Sequence, residues 1–196
     1  MKQQDNKMKI FENNISTFKE TSIDNDDGKE KYMIESEIKV INFDAVKKEY
    51  MKDMGVSEVP CSIDALYTND NENYYFIEFK NGIVKPKIYN IYNKIYDSLL
   101  IFNDITNSTI SFCRKNVRFI LVYNEEKNNQ VIDKENSSIQ ATPSKNKIAK
   151  SFSNKAKKKF IMFGLEKFEK LYFKEVFTYT EKEFENEFLE KISDKT

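Results

Sequence analysis

Apolar and polar positions alternate along this chain in two rhythms, and the switches between them mark its elements. A weak amphipathic segment around Ile10, Phe11, Ile15 and Phe18 runs into the polar stretch SIDNDDGKEK, which predicts a flexible or lightly packed N-terminal arm over residues 1–30. From Lys31 to Met51, Ile34, Ile38, Ile41, Ala45 and Val46 fall at helical spacing and predict an amphipathic helix. Gly55 and Pro60 punctuate the chain ahead of two short strands, residues 61–67 and 74–80, joined by the polar turn TNDNEN. Counted from Ile88, the stripe Ile91, Tyr92, Ile95, Leu99 and Phe102 predicts a helix from Pro86 to Asn103.

The nearly continuous apolar run VRFILVYN, 117–124, reads as a strand buried on both faces. Residues 125–157 are polar and aperiodic, the signature of a long surface loop. Beyond it, KFIMFGL and LYFKEVFTYT read as strands. A final helix opens on the capping pair Thr180 and Glu183 and buries Phe184, Phe188 and Ile192. This order predicts a single domain over residues 31–196 of the mixed α/β (α+β) class, a mixed central sheet with helices packed on it.

Composition narrows the chemistry more than the fold. The chain has no histidine, which excludes Ser-His-Asp and Cys-His nucleophile systems as usually built, and His-ligated zinc. Hydrolysis would have to run on carboxylates, Lys, Tyr and hard metal ions. Cys61 and Cys113 sit among apolar residues and read as buried free thiols. No apolar run is long enough for a bilayer, so a cytoplasmic protein without a membrane partner is expected. The 32 basic and 32 acidic residues cancel, yet Lys145, Lys147, Lys150, Lys155, Lys157, Lys158 and Lys159 form a stretch without an acid. The rest of the chain is therefore acidic, with one local basic patch as a candidate phosphate contact.

The segment CSIDALYTNDNENYYFIEFKNG carries charge where strands usually carry Val or Ile. In YYFIEFKN, alternation places Ile77 and Phe79 on one side of the strand and Glu78 and Lys80 on the other. Hairpin register decides whether Asp64 joins them. If it does, two carboxylates and an ammonium converge, and two oxygen ligands on rigid strands suit Mg²⁺ or Mn²⁺ with its remaining positions for water and a phosphate oxygen. Otherwise Glu78 and Lys80 are charges on the solvated face of an edge strand.

SIDAL followed by FIEFK resembles the Asp…Glu-x-Lys core of the PD-(D/E)XK nuclease superfamily, over residues 31 to 123. The resemblance implies a restriction-endonuclease-like α-β-β-β-α-β core and a metal-dependent phosphodiesterase acting on nucleic acid. It maps the catalytic set onto Asp64, Glu78 and Lys80, with the metal on Asp64 and Glu78. An additional Glu from the preceding helix often completes such a site; Glu37 is the match and Glu35 the runner-up. The helix after the motif often adds Lys or Gln, here Lys94 or Lys87, and Lys155, Lys157, Lys158 and Lys159 are further candidate nucleic-acid contacts. No Pro directly precedes Asp64, a departure from the motif. The superfamily also implies an alternative, a member without turnover that binds a protein such as a toxin or defence protein, as an immunity, antitoxin-like or phage inhibitor protein. Tyr89, Tyr92 and Tyr96 on the helix after the motif read as core or helix-edge packing rather than base stacking.

Overall fold

The computed structural model describes residues 9–24, 30–55, 57, 59–70, 72–128 and 161–193. In chain order it contains β1 (Ile15–Thr17), α1 (Phe18–Thr21), β2 (Ile23–Asp24), β3 (Lys31–Tyr32), β4 (Lys39–Asn42), α2 (Phe43–Met54), β5 (Ala65–Thr68) and β6 (Tyr74–Lys80). Then follow α3 (Ile88–Thr106), α4 (Ile110–Asn116), β7 (Val117–Tyr123), β8 (Glu175–Thr180) and α5 (Glu181–Phe184). The last helix widens into a π-turn over Glu185–Leu189 and resumes at Glu190–Ser193. None of the helices among the described residues is long and apolar enough to cross a membrane.

A mixed sheet with strand order β1-β4-β5-β6-β7-β8 is the centre of the fold. β4, β5 and β6 pair antiparallel, whereas β6, β7 and β8 run parallel. The two inner parallel strands, β6 and β7, are the most continuously buried because helices cover both their faces, whereas the edge strand β8 alternates buried and half-buried positions. On one face α2, α3 and α4 bury Phe43, Val46, Ile91, Ile95, Leu99, Phe102 and Cys113 against Leu66, Phe76, Phe119 and Leu121. On the other, Phe18, Ile34 and the C-terminal helix residues Phe184, Phe188 and Ile192 pack on Ala65, Ile77, Phe79, Ile120 and Val122. The mixed α/β class expected from sequence is therefore the observed one.

Three expectations are corrected. The helix expected from Lys31 to Met51 is extended chain through β4, and helix begins only at Phe43. Val40 and Ile41 point to opposite cores, which a strand allows and a helix does not. Their β-branched side chains favour that backbone, and the Asn42 side chain then caps α2 by accepting the Ala45 N–H at 2.9 Å. Gly55, at φ 66°, ends α2 in the left-handed conformation. Residues 9–24 are not a lightly packed arm: β1 pairs with β4, Ile10 and Phe11 are buried, and Phe18 is fully enclosed among Tyr67, Phe79, Phe184 and Phe188. KFIMFGL, as far as it is described, is a turn rather than a strand, since Phe163 and Gly164 both take positive φ. Most of the polar stretch 125–157 lies outside the described residues; its first four residues, 125–128, are helical.

Candidate active site

Register brings the sequence motif together. Ala65 pairs with Ile77 across β5 and β6, so Asp64 stands opposite Glu78 one position further on, and both project to the α3 side of the sheet. The Asp64 backbone fixes this placement: its N–H donates to the Ile77 carbonyl at 3.2 Å and its carbonyl accepts from the Phe43 N–H at 3.1 Å. Its carboxylate Oδ2 accepts the Phe79 N–H at 2.7 Å, which locks the side chain against β6.

The third member comes from α3. Lys94, one turn beyond the buried Ile91, donates from Nζ to Asp64 Oδ1 at 3.0 Å and to Glu78 Oε1 and Oε2 at 2.7 and 2.9 Å. Glu78 is only 2% exposed, deep for a carboxylate on a strand. Lys94, given by the resemblance as the lysine that the helix after the motif adds and as a nucleic-acid contact, has its ammonium as the shared partner of both acids. Lys80 shares the Glu78 side of the strand by alternation, but its Nζ lies 3.8 Å from where a Cβ on Gly82 would sit. The bonds to Asp64 and Glu78 come from Lys94.

Two carboxylates share one ammonium, and the electrostatics follow from that imbalance. Burial, then the charge of Asp64, pushes the Glu78 carboxyl well above the ordinary carboxylate range, although Lys94 pulls the other way. Burial likewise raises Asp64 against the opposing pull of Lys94. Burial opposes the charge on Lys94, yet Glu78 and Asp64 hold its pKa above the usual lysine value. Ionised, the cluster carries a net negative charge and so attracts either a proton or a cation.

Neighbouring groups hold the segment ahead of Asp64. On α3, Asp97 accepts the Cys61 N–H at 2.8 Å and the buried Ser98 hydroxyl oxygen accepts the Ile63 N–H at 2.9 Å. On α2, Asp44 accepts from the Ser62 hydroxyl and from Lys47 Nζ, the latter at 2.9 Å. Asp44 is the acid that sequence reading passed over: its charge acts on both Asp64 and Lys94. Its position two residues after the capping Asn42 was the available signal. Beyond β6, Asn124 donates to Asn81 at 2.9 Å, while Asn128 accepts the Val84 N–H and donates to the Gly82 carbonyl, fixing the exit from the motif strand.

Glu37 does not belong to this cluster. It is exposed on the connection between β3 and β4, where with Glu35 it raises the pKa of Lys19 on α1. Glu35 makes the direct ion pair with Lys19 at 2.7 Å. The adjacent Phe18 packs on the opposite face of the sheet from Glu78. The segment that carries Glu37 is extended chain, not the helix that would turn it toward the site. Lys87 is exposed at the start of α3, and Lys155, Lys157, Lys158 and Lys159 lie outside the described residues.

Among the described residues no group of three or more acid or thiol side chains is placed to hold a metal ion together. Asp64 and Glu78 remain as two hard oxygen donors on adjacent strands. Any ion held there would share the carboxylate oxygens with Lys94 and the Phe79 N–H and take most of its other positions from water or phosphate. The chain matches no family model, and comparisons with characterised proteins and with solved structures returned no match either.

Proposed function

We propose that this chain is a metal-dependent nuclease of the PD-(D/E)XK type, with Asp64 and Glu78 as the metal-binding pair. One observation carries this reading: Asp64, Glu78 and Lys94 meet at a single point on the α3 side of an antiparallel strand pair that is followed by α3 and the parallel β7. A bound divalent ion would polarise the phosphodiester and activate water. The chain's own groups do the rest. The Phe79 N–H orients Asp64, burial excludes bulk water from Glu78, and Lys94 keeps a positive charge beside both acids where negative charge would develop on the phosphate. The Lys80 ammonium lies beside Gly82, and the bonds to the carboxylates come from Lys94.

The reading is tested by titrating Mn²⁺ into the apo protein and following free Mn²⁺ by electron paramagnetic resonance. Wild type should take up the ion, and Asp64→Asn and Glu78→Gln should each weaken uptake about tenfold or more; uptake unchanged in both variants would contradict it.

A second reading is favoured by a specific feature of the same site. Lys94 already satisfies both carboxylates and no third acid among the described residues joins them as a ligand group, an arrangement suited to a structural ion pair in a member of the fold that binds a protein partner without turnover. Under that reading Mn²⁺ does not compete with Lys94.

A further inference from the structure

On the outer flank of α3, a row of tyrosines runs from the edge of the core, where Tyr92 packs, out to the surface. Tyr89 is 76% exposed and Tyr96 40%. They are not loose: Tyr89 meets Tyr92 edge-on at 5.6 Å, Tyr92 packs on Phe168 at 5.2 Å, and Tyr96 packs on Phe168 and Tyr172 at 5.8 and 5.9 Å. Lys167 places its ammonium 3.5 Å from the centre of the Tyr92 ring. The row is thus a rigid aromatic surface, with the Tyr89 ring left largely uncovered.

Charge on the α3 side of this row has one sign, while the turn beneath it carries Glu166 and Glu169 beside Lys167 and Lys170. Between Glu78 and Asp97 the sequence holds Lys80, Lys85, Lys87 and Lys94 and no acid. Lys85 and Lys87 are exposed immediately before the first turn of α3, which has no acidic residue and no side-chain cap. The positive end of the helix dipole lies beneath the same lysines. Exposed rings beside exposed lysines fit a polyanion whose bases are free to stack, because a duplex keeps its base faces covered.

We propose that Tyr89, supported by Tyr92 and flanked by Lys85, Lys87 and Lys167, is a stacking platform for single-stranded nucleic acid, DNA or RNA. The proposal deepens the nuclease reading and takes its ligand class from it. Tyr89 and Lys94 are five residues apart on one helix, about 7.5 Å along its axis. At about 100° per residue they also stand about 140° apart around it, so a strand would have to round the start of α3 to pass from the platform to the carboxylates.

Binding is measured by fluorescence anisotropy with the full chain in chelator, using a short labelled single-stranded DNA, the same sequence as RNA, and the DNA duplex. The expected result is tighter binding of at least one single strand than of the duplex. Tyr89→Ala should weaken it by about fivefold or more, and Tyr89→Phe should restore it. Lys85→Glu with Lys87→Glu should weaken it and flatten its salt dependence. Equal affinity for duplex and single strand, or wild-type affinity in Tyr89→Ala, overturns the proposal. Binding to neither strand also overturns it and leaves the row to a protein partner. Since chelator prevents turnover, intact single-strand binding with no cleavage in Mg²⁺ would sink the nuclease reading alone, and cleavage that is indifferent to Tyr89→Ala would sink the platform alone.

Discussion

Lys94 and Glu78 are joined twice, Nζ lying 2.7 Å from one carboxylate oxygen and 2.9 Å from the other, in a cluster where Asp64 claims the same ammonium. Removing the cation leaves two buried carboxylates facing each other, whereas neutralising Glu78 leaves a balanced Asp64–Lys94 pair. Lys94→Met should therefore cost about 3–5 kcal/mol, and Glu78→Gln no more than about 1 kcal/mol. Urea unfolding midpoints of the two variants check this, and a larger loss in Glu78→Gln would contradict the charge count.

The hydroxyl of Ser98 is the acceptor for the Ile63 N–H in a fully buried position. Ser98→Ala would strand that donor and should destabilise the fold by about 1–3 kcal/mol. It should also loosen the segment that presents Asp64, seen as faster amide hydrogen exchange at residues 61–64. Unchanged exchange there would show that Asp97 and Asp44 hold the segment without it.

Asp44 gives a pH signature with a defined sign. Burial acts to raise its pKa, but the Ser62 hydroxyl and Lys47 outweigh it and hold the carboxyl below its ordinary value of 3.8. A depressed folded-state pKa adds stability above the unfolded value, and that stability is lost as pH falls through the folded value. The gap in urea midpoint between wild type and Asp44→Asn should stay constant in neutral buffer and close on acidification below about pH 4. A gap that widens in acid would contradict the assignment.

Phe18 tests whether residues 9–24 belong to the core. It is fully buried and touches Phe184 and Phe188 of the C-terminal helix at 5.5 and 6.2 Å between ring centres. Phe18→Ala should cost about 3–5 kcal/mol. A loss below about 1 kcal/mol would restore the view of a lightly packed arm.

Much of this was legible because the motif strand is short-range information. Alternation alone put Glu78 opposite Ile77 and Phe79 in facing, and the paired capping residues Thr180 and Glu183 both bond as the sequence implied, at 3.2 and 2.8 Å. Asp64 was conditional on register, which the hairpin supplies. Lys94 was reached only through the family resemblance and beside Lys87, because nothing local says that a lysine one turn from Ile91 reaches two carboxylates on neighbouring strands. Glu37 failed for a different reason. Ile34, Ile38 and Ile41 mimic a helical stripe while serving a loop and a strand whose contacts are on both sides of the sheet. The Asp44–Ser62 contact spans 18 residues and has no sequence periodicity to announce it.

The central claim is that Asp64, Glu78 and Lys94 form a site that cuts nucleic acid with a divalent ion. Purified chain incubated with single-stranded and duplex DNA and RNA in Mg²⁺ or Mn²⁺ tests it most directly. Cleavage should appear in wild type, stop in chelator, and fall at least about a hundredfold in Asp64→Asn and in Glu78→Gln, both of which should remain folded. Activity that persists equally in chelator and in both variants, or no cleavage of any substrate by wild type, would contradict it.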